Sequence, residues 1–340
     1  MMRRMPVLLR TAAGVAVIGG LAWYLAQEAA GAPETTAVPI GVMVIVACAG
    51  LALILSKNAS GIAIGTALLT GVIVGAAIVW LQFAVQHSID RSAERQNLRL
   101  TLNLQHDLTG IDVHGQDLRG LYLSYKNLEH ANLRYTLLQH TELPGSNLSD
   151  AYMEGADLYE AVLLGTQVPR VHLQKAHGVA ANFTEAHGTE AKLSGDFERA
   201  VFNHAILPRA YIIRAIFKEA ELEHTDFQEA EAEHADLEDS HLAHANFEKA
   251  ELSFAKFTGA DASEVNFAHA YLDGTILTGA LNLSSACLRG ATYNALTRWP
   301  QGFDPRRAGA VLDGSDAASE TYPSGDCRGI IAATAGTKSR

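Results

Sequence analysis

A period of five residues constrains this chain more than any other feature it carries. From Leu108 to Leu193 every fifth position is apolar or at least small, including Leu118, Leu123, Leu128, Leu133, Leu138, Leu143 and Leu148. The position two before each centre is usually small, as at Ala131, Ala151, Ala156, Ala161, Ala176 and Ala181. Asp or Asn often stands between the two, as at Asn127, Asn132, Asn147 and Asp157. One residue is missing between Leu193 and Phe197, after which the pattern runs on to Leu277. In that second stretch sixteen of the seventeen positions two before a centre are Ala, Gly, Ser or Thr. One residue is then inserted before Leu283, Leu288 and Tyr293.

Five fits neither the 3.6-residue turn of a helix nor the two-residue alternation of a strand. Alternation makes a centre and the residue two before it point the same way, but carried further it would turn the next centre to the opposite face. Each repeat must therefore contain a corner that resets the phase. All three prolines of the region, Pro144, Pro169 and Pro208, stand one residue after a centre, where a turn wants φ fixed near −65°.

These residues resemble the pentapeptide-repeat family, whose A-(D/N)-L-x-x motif is legible in ANFEK AELSF AKFTG AD, residues 245–261. The resemblance covers about residues 104–296. It implies an all-β solenoid, a right-handed quadrilateral β-helix with four pentapeptides per coil. Spacings of twenty agree with such a coil: Phe227, Phe247 and Phe267 recur at that interval, as do Phe217 and Phe257 with Phe197 before them and Leu237 between. Smaller centres such as Leu222, Ala232, Leu242, Leu252 and Ala262 fall on the neighbouring sides, so two opposite walls are expected to supply the bulk of the core. Nine to ten coils stacked about 4.8 Å apart make a rod roughly 45 Å long with two open ends. Residues 88–103 are charged and helix-compatible, and are expected to link and cap the first coil. Residues 297–310, with Trp299, Pro300, Gly302, Phe303, Asp304 and Pro305, resemble a tail seen after such repeats and are expected to cap the last. Residues 311–340 read as a disordered tail.

Composition breaks near Asp90. The segment before it is almost uncharged and holds three apolar stretches, residues 7–25, 37–55 and 61–85. The second and third satisfy the length of about 20 apolar residues that a bilayer core needs, and carry no charge inside. The first, behind Arg3, Arg4 and Arg10, reads as a third span, as a segment lying on the membrane, or as a signal peptide. Two or three transmembrane helices are thus expected, in a multi-pass protein of the cell membrane with the lipid bilayer as partner. The arginine pattern leans toward a cytoplasmic repeat domain. Three scattered cysteines, Cys48, Cys287 and Cys327, make neither a disulfide framework nor a zinc site.

Residues 104–296 hold 28 Asp or Glu against 13 Lys or Arg, a net of −15, which disfavours direct nucleic-acid binding. Ten carboxylates, Glu219, Glu221, Glu223, Asp226, Glu229, Glu231, Glu233, Asp236, Glu238 and Asp239, occur with no Lys or Arg among them and form a candidate patch for a basic protein partner. His204, His224, His244 and Glu264 are twenty apart, two residues after a centre, so the coil would stack them in one outward column. A metal site or acid sensor there is weighed against a solvated polar ladder. No catalytic motif is found and no cofactor is expected, since an interior of Ala, Leu and Phe leaves no pocket. The expected role is a non-catalytic, membrane-anchored interaction scaffold. The alternative is an acidic DNA mimic regulating a DNA-binding enzyme such as a topoisomerase.

Overall fold

A computed structural model describes residues 59–313, which fall into two compact units dividing at Leu98 and Arg99. The expected spans 7–25 and 37–55 lie outside the described residues. The third falls in helix α1, Ala59–Leu104, 46 residues long. Its window Gly65–Ile89 has a mean hydropathy of 2.2 and is unburied within the structure, so one helix among the described residues is long and apolar enough to cross a membrane. Ile73, Trp80, Leu81 and Phe83 are all exposed along it. Its hydroxyls are turned onto its own carbonyls, Thr70 Oγ1 to Thr66 O at 2.8 Å and Ser88 Oγ to Val85 O at 2.7 Å.

In the second unit the last turn of α1 buries Leu102 at the first coil. Lys126 Nζ donates to the carbonyls of Asn103 at 2.9 Å and Gln105 at 2.6 Å. A cation thus answers the orphan carbonyls of the helix end, which also carry its negative dipole.

Beyond it the chain coils as a four-sided parallel β-helix. On face 1 the bridges step through Asp107, Asn127, Asn147, Gln167, His187, Ile206, Asp226, Asn246, Asn266 and Cys287; the ladders of faces 2, 3 and 4 begin at Asp112, Asp117 and Tyr122. Each rung is bonded on both sides, for instance Leu128 N to Asn147 O and Asn147 N to Lys126 O, at 2.7 and 2.9 Å. Every repeat closes with a turn bond such as Ala131 N to Leu128 O at 3.0 Å, and the residue two after the centre has a positive φ, 57° at His130. Positive φ at the third turn residue alone is the type II signature, and it recurs at each corner from Gly110 to Glu190 and from Arg199 to Gly279. Most of these positions are His, Glu, Arg, Lys or Tyr rather than Gly, at roughly 1 to 2 kcal/mol of left-handed strain each. The rungs above and below hold them there.

The centres point inward as the period demands. Phe227, Phe247 and Phe267 on face 1 and Phe197, Phe217 and Phe257 on the opposite face 3 are fully buried, with Phe227 and Phe247 stacked at 5.3 Å and Phe247 and Phe267 at 5.8 Å. Face 4 adds Phe183 and Phe202, stacked at 4.6 Å. Buried hydroxyls in the small position bond to carbonyls either one coil back, as Thr225 Oγ1 does to Phe202 O at 2.9 Å, or three residues back, as Thr136 Oγ1 does to Leu133 O at 2.6 Å.

Gly178 and Gly188 stand where Leu or Phe belongs, and with the missing residue the pattern predicts an underfilled joint over 168–197. The structure overturns this. A Cβ on Gly178 would lie 2.5 Å from the ring of Phe197, and one on Gly188 2.5 Å from Val168 O. The space belongs to neighbouring coils, where Phe183, Phe197, Phe202 and Phe217 form one cluster with centroids 4.6 to 6.0 Å apart. The deletion is absorbed at Ser194–Gly195, where the chain cuts inside its usual corner and a Cβ on Gly195 would sit 2.7 Å from Ala176 O. The bridge step shortens there to nineteen, His177 to Asp196. The insertion is taken up by a 3-10 turn, Leu283–Ser285, and the step lengthens to twenty-one, Asn266 to Cys287.

At the far end Trp299 packs edge-on to Tyr293 at 5.3 Å and stacks on Phe303 at 5.4 Å. The chain then makes a further rung: β1, Thr292–Tyr293, pairs in parallel with β2, Val311–Leu312. The expected boundary of the tail at 311 is therefore too early, because Val311 and Leu312 are in the ladder; residues beyond Asp313 lie outside those described. Cys287 is buried and disulfide-bonded, and the other two cysteines lie outside the described residues.

Candidate functional site

Side chains one before and two after each centre face outward, so consecutive acidic residues are distributed around the coil instead of gathering on one side. The ten carboxylates from Glu219 to Asp239 spread over all four faces. Six have partners one coil away, among them Glu221 with Asn203 Nδ2 at 3.0 Å, which a linear window cannot show. Glu219 meets Arg199 at 2.9 Å, Glu229 meets Lys249 at 3.6 Å, Asp236 meets Lys256 at 3.2 Å, and Glu238 meets Lys218 at 2.9 Å. Asp226 is buried and accepts the amide of Asn246 at 2.8 Å. The corner column after face 1 alternates in sign through Asp150, Arg170, Glu190, Arg209, Glu229 and Lys249, with ion pairs at Asp150–Arg170, Glu190–Arg209 and Glu229–Lys249. The Arg170 guanidinium holds the Asp150 carboxyl below its ordinary value. Exposed pairs like these contribute little to stability.

One stretch of face 2 sets unpaired carboxylates beside exposed aromatic rings. Glu231 and Glu251 are consecutive rungs of one ladder, Glu233 and Asp273 flank it, and none of the four makes an ion pair among the described residues. Burial pushes the Asp273 carboxyl up, with the Asp313 charge adding to it. Two aromatic side chains stand out beside these acids: Tyr271, the next rung, is 50% exposed, and Phe254 at the corner is 44% exposed and stacked on His234 at 5.1 Å. Glu251 and Asp273 fall outside the run of ten that the sequence marked. Only the coil brings them beside Glu231 and Glu233.

The histidine column is assembled as the spacing of twenty requires. His204 stacks on His224 at 4.8 Å and His224 on His244 at 4.6 Å, with interplanar angles of 8° and 10°, and His244 Nδ1 lies 3.4 Å from Glu264 Oε2. Parallel rings set their nitrogens side by side rather than aiming them at a common point. Among the described residues no group of three or more His, Cys, Asp or Glu is arranged to hold a metal ion. Burial, followed by the neighbouring His244 and His204, lowers the pKa of His224; Glu223 opposes this.

One set of polar residues escaped the sequence reading in its role. Asn266 Nδ2 donates to Asn246 Oδ1 at 2.9 Å and Asn246 Nδ2 to Asp226 Oδ1 at 2.8 Å, while each Oδ1 also accepts the N–H two residues on. The same order recurs at Asn147, Asn127 and Asp107, at Asn132 and Asp112, and at Asn282 and Asp261. An amide both gives and accepts, whereas a carboxylate only accepts, so Asp can stand only at the receiving end. The signal was present as Asn and Asp at intervals of twenty.

A solenoid of stacked four-sided coils, closed at the first coil by a helix end and carrying its polar residues on four outer faces, defines the class of protein. Residues 127–165, 196–231, 226–261 and 255–292 match the model of the pentapeptide repeats in eight copies, and the chain belongs to the pentapeptide-repeat family. Among solved structures it is similar to HetL, a pentapeptide repeat protein involved in heterocyst differentiation regulation from the cyanobacterium Nostoc sp. strain PCC 7120, at 28% identity over 63% of this chain and 93% of that one, with a TM-score of 0.37. It is 32% identical to alr5209, a pentapeptide repeat protein from Nostoc PCC 7120, over 30% of this chain and 84% of that one, with a TM-score of 0.29. QnrB1, a plasmid-mediated fluoroquinolone resistance protein, is 16% identical over 58% of this chain and 91% of that one, at a TM-score of 0.35. No curated protein matches the chain.

Proposed function

We propose that this chain is a non-catalytic protein-interaction module, tethered to a lipid bilayer by α1, whose binding surface is the acidic and aromatic stretch of face 2 from Glu231 to Asp273. The observation that carries the reading is the combination of unpaired carboxylates with exposed aromatic rings. Glu219, Glu229 and Glu238 meet cations one coil away, whereas Glu231, Glu233, Glu251 and Asp273 make no ion pair among the described residues and stand beside exposed Tyr271 and Phe254. Carboxylates flanking aromatic rings suit a protein segment with Lys or Arg, by charge attraction and by cation–π contact. The alternation of sign along the corner column after face 1 does not favour mimicry of a nucleic-acid backbone, which needs one continuous sign.

The tether rests on the exposed apolar window Gly65–Ile89, whose 25 residues suffice for one span. The test is crosslinking of the full chain in intact membranes, with wild type compared to Glu231→Gln/Glu251→Gln. Loss of a crosslinked protein in the double variant, with membrane retention unchanged, is the expected outcome. An unchanged crosslinking pattern would remove face 2 from consideration.

A further inference from the structure

The repeat domain contains 13 of the 14 histidines, and most of those that meet another group meet a carboxylate or an aromatic ring. His140 lies 3.3 Å from Glu160, His172 3.6 Å from Glu154, and His234 stacks on Phe254. Only in the corner column after face 4 do three histidines follow one another directly, with rings 4.8 and 4.6 Å apart.

The backbone prevents these rings from separating. His204 N donates to Glu223 O, His224 N to Ala243 O and His244 N to Ser263 O, each at 2.9 Å, and all three residues sit at corners with φ between 57° and 62°. We propose that this histidine column is an acid-responsive element: protonation sets like charges at fixed rung spacing and opens the coils between Phe202 and Glu264 while the rest of the solenoid stays closed.

The surroundings do not relieve the charge evenly. On the column itself Glu264 faces His244 at 3.4 Å, and Glu185 occupies the same corner one coil before His204. From face 4, Glu221, Glu223, His241 and Asp261 lie on the adjoining rungs; from face 1, Asp226 and Glu248 do. Asp226 is already engaged by Asn246, Glu221 accepts from Asn203 Nδ2 at 3.0 Å, and Asp261 accepts from Ser263 and from Asn282. Glu264 answers one end of the stack, while the middle histidine, half-buried between two others, has Glu223 as its opposing charge.

The direction of the response follows. Because the folded state lowers the pKa of His224, the unfolded chain binds the proton more readily. The contribution of His224 is complete above the ordinary histidine value of about 6.5 and is lost as the pH falls below it, through the lowered value of the folded state.

The test uses the full chain in detergent at pH 7.5 and pH 5.0, comparing wild type with His204→Asn/His224→Asn/His244→Asn. Asn is chosen because it accepts positive φ. His234→Asn serves as a control in a column that lacks paired histidines. The single variant His224→Asn, which leaves the remaining two histidines two rungs apart, covers the case in which the triple variant does not fold. The acid-induced fall in melting temperature should be larger by on the order of 5 °C in wild type and His234→Asn than in the column variants. Hydrogen-exchange protection should drop in acid across residues 202–264 of wild type and be kept there in the column variants. Equal acid sensitivity in wild type and column variants, or acid opening centred elsewhere, would overturn the proposal.

Discussion

Reversing one atom pair in the face 1 ladder gives the sharpest test of how the coils are held. Asn246 donates to Asp226 at 2.8 Å and accepts from Asn266 at 2.9 Å; Asn266 is fully buried, and Asp226 and Asn246 are 3% and 6% exposed. Asn246→Asp keeps the acceptor for Asn266 but replaces the donor with a second carboxylate oxygen at hydrogen-bond distance from the first. A buried charge left without its partner costs about 3 to 5 kcal/mol. At roughly 2 to 4 °C per kcal/mol for a domain of this size, the melting temperature should fall by about 10 °C. Asp226→Asn tests the opposite exchange. Its Oδ1 still accepts from Asn246 and from Gln228 N, and the added amide takes the place of Oδ2, so the change should stay within about 1 kcal/mol. Thermal melts of the full chain at pH 7.5, read by circular dichroism, give both numbers. The deficit of Asn246→Asp should shrink toward pH 4, because a proton shared by the two carboxylates restores a donor. Equal melting shifts for the two variants would refute the directional reading of the ladder.

Phe247→Ala removes a fully buried ring stacked on both neighbours and should cost about 3 to 5 kcal/mol, while Glu248→Ala beside it should change stability by less than about 0.5; similar melting shifts would contradict the inward placement of the centres. Gly195→Ala would bring a Cβ to 2.7 Å from Ala176 O and 3.1 Å from Leu173 O, and should cost about 1 to 3 kcal/mol in chemical denaturation. Gly165→Ala, with φ of 63° and nothing within 4 Å, should cost about 1 kcal/mol, and a larger loss there than at Gly195 would refute the account of the deletion. Hydrogen exchange across residues 168–197 should be as slow as in the flanking coils, since the four-phenylalanine cluster fills that joint; early opening there would show the packing to be looser than the ring contacts imply.

The amino-acid sequence by itself determines the coil. A five-residue period with small and apolar inward positions admits only a chain that turns a corner every repeat. The prolines one residue after a centre mark those corners, and phenylalanines at intervals of twenty identify two opposite walls. These features depend on contacts within a repeat or between positions in simple register, so they can be read along the chain.

Tertiary structure decided everything that depends on what lies one coil away. The ten acidic residues looked like one patch because a linear window cannot see Arg199, Lys218, Lys249 and Lys256 on adjacent coils. The same blindness made Gly178 and Gly188 look like voids, although rings and backbone of neighbouring coils occupy their space. The spacing of twenty put the histidines in one column, but only ring orientation turned a candidate metal site into a parallel stack. Val311 and Leu312, read as tail, join the ladder because β1 offers an unpaired edge at the end of the rod. In each case the deciding interaction runs between coils. Its partner is set by local steps of nineteen to twenty-two residues and by side-chain direction, neither of which is carried by composition or by the five-residue period.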